Sequence, residues 1–175
     1  MVVWYENTDG AGRFGLQQVI TREADWPTSV FAADLDGDGR LELLDPCSGS
    51  GCVSRILELN ADGTENYAQS YDIAGTETGY LNATSVGDIN LDGSLDFVAG
   101  FYEWGDPLPA QDSARVFINN GLGNFSSEPL ADGAYLTDDI VLEDLNGDGY
   151  LDILETIRNS NNVNVVRVRL ADGQD

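Results

Sequence analysis

Three nine-residue segments put oxygen-bearing side chains at positions 1, 3, 5 and 9. They are Asp34, Asp36, Asp38 and Glu42; Asp88, Asn90, Asp92 and Asp96; and Asp144, Asn146, Asp148 and Asp152. Glycine holds position 6 each time (Gly39, Gly93, Gly149) and leucine position 8 (Leu41, Leu95, Leu151). The leading aspartates are 54 and then 56 residues apart, so the pattern is an internal repeat. Its chemistry is that of a hard-cation cradle. Calcium takes roughly 6–8 oxygen ligands at about 2.3–2.6 Å, and acids or amides at alternate positions can all turn inward when the backbone curls. Glycine at position 6 allows the sharp turn. The position-7 carbonyl, from Arg40, Ser94 or Tyr150, then needs no special side chain, and the acid at position 9 closes the cage. Magnesium fits less well, because it keeps several waters and takes few protein ligands. The expectation is up to three calcium ions.

A metal-free Asx turn explains one such segment, but not three with four oxygen positions each. Without a cation, crowding should raise the carboxylate pKa values. An EF-hand needs helices on both sides and glutamate at position 12. Position 12 is Asp45, Ala99 and Glu155, so the middle copy fails. The flanks read instead as short strands rich in β-branched and apolar residues. Val30–Ala33, Thr84–Gly87 and Ile140–Glu143 precede the loops; Leu41–Leu44, Leu95–Val98 and Leu151–Leu154 follow them. The leucine at position 8 should face away from the ion and anchor the second strand.

A third strand is expected over Ser54–Leu59, Arg115–Asn119 and Val163–Leu170. It ends in turn signals at Asn60–Gly63, Asn120–Gly123 and Ala171–Gly173. A fourth follows near Thr64–Ile73 and Asn124–Leu130. Four antiparallel strands every ~55 residues is the arithmetic of a β-propeller. The expected fold is all-β, with blades over residues 22–75, 76–131 and 132–175 and the end of a preceding blade over 1–21. That makes two full blades with a partial blade at each end. Such a chain should not close a ring by itself. It reads as a segment of a larger propeller, or one that completes itself by association through open blade edges.

The loop between two β-strands resembles the FG-GAP/VCBS repeat of integrin-α-type propellers. The strand-and-turn segments Val3-Trp4-Tyr5-Glu6-Asn7-Thr8-Asp9-Gly10 and Val116-Phe117-Ile118-Asn119-Asn120-Gly121 are similar to that family as well. The resemblance implies that the calcium loop joins the first two strands of each blade and that position 9 is a ligand. The family's Gly-Ala-Pro after the second strand is replaced here by Asp45-Pro46, Ala99-Gly100 and Glu155-Thr156. Such repeats occur in adhesion proteins, lectins and accessory domains of enzymes, so the fold does not settle the function.

Charge narrows the choice. The chain has 175 residues, 31 acidic against 8 basic, and a net charge of −23. All the basic residues are arginine. Lacking histidine and lysine, it has no Ser-His-Asp triad, no histidine-bound zinc, no Walker lysine and no Schiff base. Such a surface should repel nucleic acid and anionic lipid and attract cations. No apolar run reaches the ~20 residues of a membrane span, and the start carries no export-signal pattern. The chain reads as cytoplasmic, or as a mature protein or excised piece. Cys47 and Cys52 flank Ser-Gly-Ser-Gly and could close a small disulfide or stay as two thiols.

The expected role is a secreted or cell-surface module that recognises a protein or glycan. Aromatic residues recur before each first strand, at Trp26, Tyr80 and Tyr135, and suit either packing between blades or sugar stacking. Tyr102 and Trp104, in a loop that differs from its counterparts in the other repeats, are further ligand-contact candidates. The alternative is part of a polysaccharide-acting enzyme, with Asp138, Asp139 and Glu143 as candidate carboxylates.

Overall fold

The computed structural model describes residues 1–22, 30–45, 54–66, 70–73, 80–102, 113–130, 136–158 and 163–171. Trp26, Cys47, Cys52, Trp104 and Tyr135 lie outside the described residues. The described chain is all β, in four antiparallel sheets, none of them closed. The first pairs β1 (Val2–Trp4) with β2 (Gln18–Thr21). The second runs β3 (Phe31–Ala33), β4 (Glu42–Asp45), β5 (Arg55–Leu57) and β6 (Tyr71–Asp72). The third runs β7 (Tyr80–Gly87), β8 (Asp96–Tyr102), β9 (Ala114–Asn119) and β10 (Phe125–Pro129). The fourth runs β11 (Leu136–Glu143), β12 (Asp152–Arg158) and β13 (Asn164–Arg169). Each is a meander whose neighbours in space are neighbours in sequence, so short turns suffice to connect them. The strand counts agree with the expectation from sequence.

The sheets stack face on face, because side chains of one strand alternate between two apolar layers. On β4, Leu43 points toward the first sheet with Leu57, packing against Val2 and Ile20. Its neighbour Leu44 points the other way with Ile56, toward Leu81, Phe97 and Phe117 of the third sheet. On β8, Phe97, Ala99 and Phe101 join that layer. Val98 between them packs instead with Ile140 and Leu142 of the fourth sheet. Phe97 and Phe117 stack at 4.4 Å and are fully buried. A glycine lets the third and fourth sheets approach closely at one point. A Cβ on Gly100 would lie 2.7 Å from the Cβ of Thr137 on β11.

Polar groups cross the same seams. The Leu142 amide donates to Ser85 Oγ at 3.0 Å, and Asn82 Nδ2 donates to the Thr137 carbonyl at 3.1 Å. Within the fourth sheet, buried Glu155 on β12 meets Arg167 Nε at 2.8 Å and Arg169 Nε at 2.9 Å, both from β13.

Position 8 does not behave uniformly. Leu95 and Leu151 pack into the interlayer cores as expected, Leu151 against Gly87 of the preceding sheet. Leu41 is exposed instead. Among the described residues the sheet before it has two strands rather than four.

Candidate metal centre

The three acidic loops each join the first two strands of a sheet, β3 to β4, β7 to β8 and β11 to β12. Helices flank none of them, which removes the EF-hand reading. All three share one hydrogen-bond pattern. The position-1 aspartate accepts the position-6 glycine amide on Oδ2: Gly39 to Asp34 at 3.0 Å, Gly93 to Asp88 and Gly149 to Asp144 at 2.9 Å. The position-5 aspartate accepts the position-7 amide: Arg40 to Asp38 and Ser94 to Asp92 at 2.8 Å, Tyr150 to Asp148 at 3.0 Å. The position-9 acid reaches back across the loop to the position-2 amide. Leu35 donates to Glu42 at 2.6 Å, Ile89 to Asp96 at 3.0 Å and Leu145 to Asp152 at 2.9 Å. The curl needs a left-handed residue at position 4 as well as at position 6. Gly37 and Gly147 supply it, and Leu91 adopts it at φ +60°, a conformation disfavoured for leucine.

The loops differ at the second oxygen of position 9. In the second loop Asp96 Oδ1 accepts the Asn119 amide at 2.8 Å, and in the third Asp152 Oδ1 accepts the Ala171 amide at 2.8 Å. In the first loop Glu42 Oε1 is buried and has no hydrogen-bond partner. Burial pushes the Glu42 carboxyl up to about 7 against the pull of the Leu35 amide, with Glu58, Asp36 and Asp34 adding repulsion. An unpartnered buried carboxylate oxygen carries a large desolvation cost. Asp34, Asp36 and Glu42 each offer an oxygen, and these oxygens lie within 4.8 Å of one another. Among the described residues this is the one acidic group so gathered. An all-oxygen donor set with an orphaned carboxylate oxygen fits a hard divalent cation.

The expectation that crowding raises the loop carboxylates is corrected. The Ser94 amide, helped by Asn90 and the Ser94 side chain, holds Asp92 below the usual carboxylate range. The Gly149 amide, then Gly147 and Asp148, does the same for Asp144. Among these loop acids the raised ones are Glu42 and Asp96, at position 9, and in both the leading cause is burial. Amide donors already stabilise the rim charges, so repulsion is not the dominant influence there.

The other candidates are spread apart. Tyr80 and Tyr102 form the cross-strand pair of β7 and β8 farthest from their loop. Asp138, Asp139 and Glu143 are exposed along β11, and Asp139 is bound to the Ile140 amide at 3.0 Å. The sequence reading missed Asn119. It is buried at the end of β9 and donates through Nδ2 to the carbonyls of Leu35 (2.6 Å) and Leu95 (3.0 Å), one from each of two successive acidic loops. Its Oδ1 accepts the Gly121 and Gly123 amides at 3.1 Å. Asparagine ahead of a glycine-rich turn was visible as a turn signal, but its reach to a loop 84 residues earlier was not.

No curated protein matches the chain in a sequence search. Residues 1–44 match the family model described as FG-GAP-like repeat, a stretch that takes in Asp34, Asp36 and Glu42. Over those residues the chain is similar to an FG-GAP-like repeat.

Proposed function

We propose that this chain is a calcium-binding propeller-type repeat module that recognises a protein or a glycan outside the cell. The four face-stacked sheets are read as successive blades, with repeats over 22–75, 76–131 and 132–175. The observation that carries the metal reading is Glu42 Oε1, buried without a partner beside Asp34 and Asp36. In the first loop Asp34, Asp36, Asp38, Glu42 and the Arg40 carbonyl would hold the ion. Asp88, Asn90, Asp92, Ser94 and Asp96 would do so in the second, and Asp144, Asn146, Asp148, Tyr150 and Asp152 in the third. Calcium supplies countercharge at the corner where two strands turn, and so ties loop order to ion occupancy. A secreted or cell-surface location would go with sites of ~0.1–1 mM, matched to extracellular calcium. Trp26, Tyr80, Tyr102, Trp104 and Tyr135 are the proposed ligand-contact residues. The net charge of −23 argues against nucleic acid as the partner.

Calorimetric titration with calcium, alongside thermal melting, tests the metal reading. One to three sites are expected, with a melting temperature that rises with calcium. Glu42→Gln should weaken one site at least tenfold. Absence of both heat and a melting shift would overturn it. Glycan arrays with and without chelator test the recognition role.

A further inference from the structure

We infer that Glu58, just beyond strand β5, completes the first acidic loop as a fifth carboxylate and makes that loop the tightest of the three calcium sites. The inference rests on the calcium reading above and adds to it a residue outside the nine-residue pattern.

Sheet register puts Glu58 there. β4 and β5 pair Asp45 with Arg55, Leu44 with Ile56 and Leu43 with Leu57. One step further, the same ladder sets Glu42 opposite Glu58. Directly opposed residues share a sheet face, with Cβ atoms roughly 5 Å apart. The position carries no charge in the other two repeats. Phe97 pairs with Phe117 and Ile153 with Arg169, so the residues opposite Asp96 and Asp152 are Ile118 and Leu170. In the third sheet this position looks onto the loop, since Ile118 lines one cleft with Asp92.

Like charges set directly opposite each other repel. Of the acids that repel Glu42, Glu58 acts more strongly than Asp36 and Asp34. Burial, then Asp36 and Asp38, raises the Glu58 carboxyl in turn. Arg40 acts on it as well, but from the exposed rim, 3.8 Å from Asp38, where water screens it. Beside this group Glu42 Oε1 is buried without a hydrogen-bond partner, whereas a backbone amide takes the corresponding oxygen in the second and third loops. A cation held by the loop relieves the repulsion and occupies the orphaned oxygen at once. The first loop then gathers Asp34, Asp36, Asp38, Glu42 and Glu58, against three aspartates and one asparagine in each of the others. Calcium affinity is tuned by the number of charged ligands.

Calcium titration of the full chain, followed by NMR at the amides of Gly39, Gly93 and Gly149, reads the three loops separately. The Gly39 amide is expected to shift at calcium concentrations about tenfold below the other two. Glu58→Gln should raise the Gly39 midpoint about tenfold and leave Gly149 unmoved. Thermal melting adds a readout that changes sign. In chelator Glu58→Gln should melt above wild type, because the repulsion is gone. In excess calcium the order should reverse, which a purely structural role would not produce. Glu58→Ala, which also removes the charge, should move the Gly39 midpoint in the same direction, and circular dichroism checks that both variants fold. A Gly39 midpoint unchanged in both variants would overturn this inference and leave the calcium reading intact. So would a wild-type Gly39 response no earlier than those of Gly93 and Gly149, or a melting order that is the same with and without calcium. No shift at any of the three glycines would overturn both.

Discussion

Asn119 Nδ2 lies 2.6 Å from the Leu35 carbonyl oxygen, a contact between residues 84 positions apart that is buried at the seam of two sheets. The same amide nitrogen reaches Leu95 at 3.0 Å. One side chain thus ties the first acidic loop to the second.

Removing that side chain takes one hydrogen bond each from two carbonyls and two glycine amides. Asn119→Ala is expected to cost about 3 kcal/mol in denaturant unfolding, at the upper end for a single buried polar deletion. It should also weaken calcium binding at the first loop, although Asn119 is not among the proposed ligands. Calorimetry of the variant, refolded and matched to wild type by circular dichroism, checks the second effect.

Glu42 gives the metal-free protein a pH dependence of definite sign. Its carboxyl rises from an ordinary 4.5 to about 7. Between those values the folded state holds a proton that the unfolded state has lost, so this contribution to stability is full below 4.5 and is lost as pH climbs through 7. Thermal melting with chelator from pH 4 to 8 should show the decline, and Glu42→Gln should flatten it. Calcium must displace the same proton. Its apparent affinity is therefore expected to grow with pH up to about 7 and then level off.

Leu91 holds φ +60° where the corresponding residues of the other loops are glycine, and it is 55% exposed. Leu91→Gly removes the left-handed strain and sacrifices little packing. A gain of about 1 kcal/mol is expected. An unchanged or lower unfolding midpoint would show that the leucine contributes something else.

Glu155 is buried against two arginines of the edge strand β13. Glu155→Ala leaves both guanidinium groups without their shared carboxylate. It is expected to lower stability by about 3 kcal/mol. Hydrogen exchange should show the loss concentrated in β12 and β13.

The acidic loops and their flanking strands are legible in the sequence, because their causes are local. Alternating oxygens, a left-handed glycine and a β-rich flank act over nine residues, and the bonds from the position-6 amide to the position-1 carboxylate close within the loop. That Leu43 and Leu44 enter two different apolar layers came from the stacking of the sheets. Trp26, Trp104 and Tyr135 remain sequence proposals.

Three features came from tertiary packing. Glu42, Asp96 and Asp152 occupy one motif position, yet Glu42 alone of them has an orphaned oxygen. For Asp96 and Asp152 an amide from farther along the chain, of Asn119 or Ala171, takes that oxygen. Leu41 is exposed while Leu95 and Leu151 pack into the interlayer cores, and among the described residues the sheet ahead of Leu41 has two strands. The bridge from Asn119 to Leu35 exists because two sheets stack. Short-range pattern dictates the shape of a turn, whereas the environment of a carboxylate or a leucine depends on which distant surface arrives to bury it.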